Sequence, residues 1–269
     1  VRIARSALIA AAAVVLASLG PASPALAETQ HRSEYVALGD SYAAGVGAAP
    51  YDEASGDCLR SPQNYPSTWA AEHPSYQLTD VTCSGAATDD VWAQQLDALD
   101  RRTRLVTLTI GGNDDNAFSR SLQACLLGTD ADCKAATTAG SDYARTQLVG
   151  DLVKLYTEVH RRSPWARVIV LNYPQAIDQG TGSCGAVTPN TYRRALIADQ
   201  VEALDAAIAK ATRTAWVELV DVRSAFTGHQ ACSTDPWIHG SDTSSQTEWF
   251  HPNATGHAVY ASALDAVTS

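Results

Sequence analysis

The 269-residue chain contains no methionine, and it begins with Val1. The simplest account is a GTG start codon translated literally, with a core built without Met. Positive charge is scarce: 19 Lys and Arg stand against 29 Asp and Glu, a net charge of −10 at pH 7. With no basic run either, a nucleic-acid partner is not expected. Aromatics make up only 7% of the chain, but 45% is hydrophobic. That much apolar side chain offsets the entropy of ordering and excludes intrinsic disorder. None of the six cysteines forms a Cys-x-x-Cys, which argues against zinc and thioredoxin-type sites. No repeat, low-complexity linker or charge block divides the chain.

A long apolar run is also missing. The longest candidate, Ala7 to Leu19, falls short of the roughly 20 residues needed to span a bilayer. What it does fit is a secretory signal peptide over residues 1–27. Arg2 and Arg5 supply the positive start, Pro21 and Pro24 break the run, and Ala25-Leu26-Ala27 fits the cleavage site. A membrane anchor is the alternative, and the run is too short for it. Cleavage leaves one domain, residues 28–269, and losing two arginines moves the charge from −10 to −12. The expected product is extracellular and soluble, with no integral membrane segment.

Export changes the meaning of the cysteines. In an oxidising compartment an even count implies disulfides. Six cysteines allow 15 pairings. Their order suggests local pairs, Cys58–Cys83, Cys125–Cys133 and Cys184–Cys232. Closing a loop of the first size is worth roughly 3 kcal/mol in the chain-entropy model.

Short apolar runs alternate with helical patterns. Strands are expected at Glu34–Leu38, Tyr76–Thr82, Leu105–Ile110, Val168–Leu171 and Trp216–Val220. Helices are expected at Tyr65–His73, from a Thr88 or Asp89 cap through Leu99 with Trp92 on the buried stripe, at Ser141–Arg162, Thr191–Thr212 and Ala254–Val267. Continuous apolar strands alternating with helices argue for an α/β fold, a parallel sheet of about five strands covered on both faces. Such sheets carry their chemistry in loops at the carboxyl ends of strands.

Three of these loops are unusual. Gly39-Asp40-Ser41 follows the first strand and places a serine at the start of a helix, where backbone N–H groups are unpaired. The plain alternative is a helix cap. Cys83-Ser84-Gly85-Ala86 follows the second strand, and its glycine permits close approach. Gly111-Gly112-Asn113-Asp114 follows the third and can aim an amide N–H at a fixed point. For these two the plain alternative is an ordinary turn. Near the C-terminus stands Glu248-Trp249-Phe250-His251-Pro252-Asn253. Serine needs a general base to become nucleophilic, and histidine is the usual one near neutral pH. Among the seven histidines, His31 lies in the starting segment. His73 and His160 lie at helix ends, His229 and His239 in a long irregular segment, and His257 inside the last helix. His251 is the candidate.

Gly-Asp-Ser, a following glycine, Gly-x-Asn-Asp and a near-terminal His-Pro, in that order, resemble the SGNH (GDSL-type) hydrolases. The flanks, Tyr35 to Tyr42, Ser55 to Cys58 and Pro236 to His239, are similar to secreted bacterial lipases and phospholipases A1 of that family. The resemblance implies a three-layer α/β/α sandwich of flavodoxin-like topology and three disulfides between neighbouring cysteines. It implies Ser41 as nucleophile and His251 as base. It also implies an oxyanion hole from Ser41, Gly85 and Asn113. The family's usual Asp-x-x-His is here Glu248-x-x-His251. Glu248 could orient the base, or a backbone carbonyl, of Glu248 or Trp249, could replace it. Asp40 is expected to be structural and Asn253 a helix-start residue.

No separate lid is expected. Residues 116–138 and 175–190 should wall the cleft, with Phe118, Leu122, Leu126 and Leu127 as acyl contacts or as a satellite core. No cofactor or metal is implied, and a monomer is the default. The expected reaction is hydrolysis of small-molecule or lipid acyl esters. The alternatives are a carbohydrate or acetyl esterase, and a non-enzymatic binding protein on the same fold.

Overall fold

The computed structural model describes residues 32–269; the expected signal peptide lies outside them. Strand β1, Ser33–Gly39, is followed by a short helix α1, Ser41–Ala44, then α2, Tyr65–Glu72. Strand β2, Tyr76–Asp80, leads to α3, Thr88–Asp90, and β3, Thr103–Thr109. Next come α4, Ala117–Leu127, α5, Asp130–Tyr143, and α6, Val149–Arg162. Strand β4, Arg167–Leu171, α7, Thr191–Ala215, β5, Glu218–Val220, and α8, Ala254–Thr268, complete the order. The five strands form one parallel sheet in the order β2-β1-β3-β4-β5. Flanking helices make it the expected α/β sandwich.

Alternation along the central strands sorts the two faces. Tyr35, Thr107 and Thr109 point to one side, where Tyr35 donates to or accepts from Thr107 at 2.8 Å and meets Trp69 of α2 edge-on. Tyr65 of α2 reaches Thr109 and stacks on Tyr260 of α8. Val36, Leu38, Val106 and Leu108 therefore face the other side, and all are buried. Among the described residues no helix is long and apolar enough to cross a membrane.

Three expectations about elements need correction. The segment after β2 is not capped by Thr88 or Asp89. Ala87 is the cap position, the Asp90 carboxylate accepts the Ala87 N–H, and the helix passes into π and 3-10 turns that leave Trp92 exposed. The helix expected from Ser141 begins at Asp130, where Thr129 and Asp132 make a reciprocal cap. It continues through a π stretch at Ala144–Leu148 into α6. Trp216 is not in β5; it ends α7 in the left-handed region at φ 57° and is exposed. Residues 116–138, expected to wall the cleft, lie in the antiparallel pair α4 and α5, clipped by Cys125–Cys133. The other two bridges, Cys58–Cys83 and Cys184–Cys232, join the same local partners that the sequence order suggests.

Candidate active site

Gly39 ends β1 at φ +132°, and a Cβ there would meet the Thr109 carbonyl oxygen at 2.3 Å. Only glycine lets the strand end press so closely on β3. The Gln95 side chain clamps the same residue, accepting its N–H at 2.8 Å and donating to its carbonyl at 2.9 Å. Asp40 then caps α1, its Oδ1 accepting the Tyr42 N–H at 2.9 Å. Its Oδ2 accepts a short hydrogen bond from the Tyr173 hydroxyl. Burial pushes the Asp40 carboxyl up to about 7, against the hydrogen bonds from Tyr173 and Tyr42 that favour its charged form. Asp40 is thus a brace, as expected.

Tyr173, just past β4, is a residue that sequence reasoning missed. Its hydroxyl donates to Asp40 and accepts the Gly112 N–H at 3.1 Å, so it ties the serine loop to the Gly111-Gly112-Asn113 loop. Only a polar aromatic at a strand's carboxyl end hinted at it. Asp114 makes a further tie, accepting from the Thr88 hydroxyl at 2.6 Å and from its N–H. Burial lifts this carboxyl to about 6.

Ser41, first residue of α1, has its N–H free of protein acceptors among the described residues, as does Gly85. Gly85 sits at φ +79° with open space where a side chain would be. Asn113 donates one amide N–H to Ala86 O at 3.1 Å, which fixes the amide plane and leaves the second N–H available. All three residues line one cavity of about 420 Å³ together with His251.

His251 Nε2 lies 2.7 Å from Ser41 Oγ. Its Nδ1 lies 3.1 Å from the Trp249 carbonyl oxygen. A carbonyl can only accept, so Nδ1 carries the proton and Nε2 is left to accept from the serine hydroxyl. Burial holds the imidazolium down, to about 4, so the ring is neutral at pH 7. The Glu248 carboxylate is elsewhere: it accepts from the Tyr51 hydroxyl at 2.8 Å. Of the two alternatives open from the sequence, it is the Trp249 carbonyl and not the Glu248 carboxylate that faces Nδ1. The 3-10 turn at Gln246–Glu248 and the bend after it turn the Glu248 side chain away and the Trp249 carbonyl inward.

Four of the other histidines are engaged otherwise. His239 Nε2 faces Gly47 O at 2.8 Å, His229 stacks on Trp237, and His73 stacks on Trp69. His257 is fully buried in α8. Asn253 is the cap of α8, accepting the Gly256 N–H at 3.0 Å.

Phe118, Leu122, Leu126 and Leu127, all on α4, line the cavity. The second expected wall, residues 175–190, contributes only Ala176. Leu127 is exposed, as suits a residue at the rim.

Comparison with known proteins agrees with this geometry. The GDSL-like lipase/acylhydrolase family matches residues 37–259. A lipase of Streptomyces rimosus is 37% identical over 99% of this chain and all of its own. Lipase 1 of Streptomyces coelicolor is 35% identical over 94% of this chain and 92% of its own. The crystal structure of a phospholipase A1 from Streptomyces albidoflavus superposes with a TM-score of 0.82 at 37% identity, covering 87% of this chain and 99% of that one. Agreement in sequence and structure over nearly the full length of these relatives leaves one conclusion: the chain belongs to the GDSL-like lipase/acylhydrolase family and is an ester hydrolase.

Proposed function

We propose that the protein hydrolyses acyl esters of lipids through an acyl-enzyme on Ser41, with His251 as general base and the Trp249 carbonyl in place of a third acid. The observation that carries this reading is the 2.7 Å contact of His251 Nε2 with Ser41 Oγ at the floor of a cavity walled by α4 leucines. In the first half-reaction His251 Nε2 takes the Oγ proton as Oγ attacks the ester carbonyl carbon. The oxyanion that forms is held by the N–H groups of Ser41 and Gly85 and by Asn113 Nδ2. These donors are fixed before the reaction, so they stabilise charge as it develops without reorganising. The imidazolium then gives its proton to the departing alcohol oxygen. In the second half water gives its proton to Nε2, its oxygen attacks the acyl carbon, and Ser41 Oγ leaves and is reprotonated. Throughout, the Nδ1–H group stays protonated and donates a hydrogen bond to the Trp249 carbonyl, which keeps the ring in register.

The leucines of α4, lining the cavity beside Phe118, Trp249 and Phe250, favour an apolar acyl chain. A fluorophosphonate should label the wild type and not Ser41→Ala. Hydrolysis of a long-chain p-nitrophenyl ester and of phosphatidylcholine should exceed that of acetylated xylan; the reverse order overturns the lipid reading. The protein is further proposed to act as an exported single domain, residues 28–269, after loss of 1–27. The mass of the protein recovered from culture medium tests that boundary.

A further inference from the structure

A second cavity of about 400 Å³ opens on the other side of the Ser84-Gly85 turn, and both residues line both cavities. The first cavity has no cation in its wall, whereas the second is lined by Arg60, Asp80, Asp90 and Gln94. Arg60 is half-buried. Its Nη1 donates to Thr82 O at 3.0 Å, and among the described residues its other guanidinium nitrogens have no acceptor; no carboxylate oxygen is within ion-pairing distance, though Asp80 is near enough to feel its charge. Several other arginines pair with carboxylates, as with Arg162 and Glu158 or Arg223 and Asp221, while Arg104 and Arg194 donate to several backbone carbonyls each. A partly desolvated guanidinium with free donors is a ready partner for an oxyanion.

The two carboxylates differ. Asp80 is spent, accepting from Thr82 twice and from Asn64. Asp90 uses Oδ2 for the Ala87 N–H at 2.9 Å, while Oδ1 has only a 3.4 Å contact from Gln94. The cavity thus offers one free anion-binding group and one free cation-binding group. It is also rigid: the Cys58–Cys83 disulfide lies in its wall, and Ser84 N donates to Cys58 O at 3.0 Å.

We propose that this second cavity is the headgroup subsite for a zwitterionic glycerophospholipid, with Arg60 binding the phosphate and Asp90 the ammonium group. The inference rests on the acyl-ester reading of Ser41 and His251. With the acyl chain against α4 and the scissile carbonyl at the Gly85 N–H, the alcohol half of the ester leaves across Gly85 into the polar side.

The test uses monomeric dihexanoyl phosphatidylcholine beside p-nitrophenyl hexanoate, which shares its acyl chain and lacks the headgroup. In Arg60→Gln the ratio of kcat/KM for the phospholipid to that for the p-nitrophenyl ester should fall about 10- to 100-fold, mainly through KM, as expected for one charge-assisted contact. Arg60→Lys should recover part of the ratio. Asp90→Asn, which keeps an acceptor for Ala87, should lower the preference for phosphatidylcholine over phosphatidylglycerol. Glycerophosphocholine should inhibit p-nitrophenyl hexanoate hydrolysis by wild type and not by Arg60→Gln. A ratio unmoved in Arg60→Gln overturns the subsite. So does equal inhibition by inorganic phosphate, which would mark a general anion site. If wild type cleaves neither substrate, the acyl-ester reading itself has failed; if it cleaves only the p-nitrophenyl ester, the headgroup inference alone has failed.

Discussion

Ser41, Gly85 and Asn113 stand just beyond the ends of β1, β2 and β3, whereas His251 stands in residues 241–252, whose one regular element is the 3-10 turn Gln246–Glu248. The first three inherit their positions from the ladder: Asp40 N donates to Thr109 O, and Cys83 N to Gly39 O. His251 has no such ladder to inherit. It is held by scattered contacts from distant parts of the chain. The Tyr42 hydroxyl donates to Phe250 O at 2.6 Å, and the backbones of His239, Phe250 and His251 exchange hydrogen bonds. Buried Phe250 sits at φ 59°, a left-handed conformation that such a residue adopts only when its surroundings impose it. A sheet can therefore place a nucleophile and its donors together. The base must be brought to them by side chains, and a small error there costs more activity than stability.

Substitutions on the reacting atoms should have the largest effects. Ser41→Ala and His251→Ala should each lower kcat by up to about a million-fold, by analogy with serine proteases. Asn113→Ala should cost on the order of 100- to 1,000-fold, since one oxyanion donor is lost. Full activity in Asn113→Ala would remove that residue from the hole.

Two glycines break the comparison more directly. A Cβ on Gly39 would meet Thr109 O at 2.3 Å inside the sheet, and one on Gly47 would meet Pro252 O at 2.4 Å and His251 Cβ at 3.2 Å. Both sit at positive φ. Gly39→Ala should lower the melting temperature along with activity. Gly47→Ala should shift the base segment, and a misplacement of about 1 Å can cost on the order of 100-fold in rate. Its melting temperature should change less than that of Gly39→Ala. Equal thermal losses would show that the base segment is no less part of the fold than the sheet.

The same division explains what the sequence made legible. Strand periods and the motifs attached to them lie within a few residues of each other, so the sheet and the positions of Ser41, Gly85 and Asn113 could be read locally. Tyr173, Gln95 and Tyr51 act across separations of 133, 56 and 197 residues, on Asp40, Gly39 and Glu248. No local pattern announces such partners. The α4–α5 pair was obscured for another reason. Residues 131–140 are mostly Ala, Thr and other small side chains, which show no apolar stripe although Ala favours helix. Its start is fixed by the Thr129–Asp132 cap, a signal the small-residue composition overshadowed.

Protonation is a further probe of His251. Because burial lowers His251 to about 4, the acid limb of kcat/KM should fall near pH 4 and not near the ordinary histidine value of about 6.5. Burial lowers His257 to about 4 as well. Both rings bind protons more readily when unfolded, so the stability they contribute is complete above about 6.5 and is lost as pH falls toward 4. Asp40 and Asp114, raised by burial to about 7 and about 6, act in the opposite direction over the same range, so the histidine part is read ring by ring. An NMR titration of His257 with a midpoint near about 6.5 would contradict its burial as a neutral ring. An acid limb near 6.5 would mean that His251 is solvated like an ordinary surface histidine.

The smallest expected effect concerns Glu248. If its carboxylate oriented His251, removing it would strip the base of its counter-charge, and the loss would be large. In the structure it accepts from Tyr51, whose hydroxyl in turn accepts the Gly47 N–H at 3.0 Å. Glu248 therefore braces the loop that Gly47 shares with the base segment, one step removed from the imidazole. The Trp249 carbonyl belongs to the backbone and survives the substitution. Glu248→Ala should accordingly lower kcat by well under tenfold, with the acid limb unmoved, since the group on Nδ1 is unchanged. A loss of a hundredfold or more with a shifted acid limb would restore a carboxylate to the machinery. It would also mean that Glu248 turns from Tyr51 to His251 during turnover.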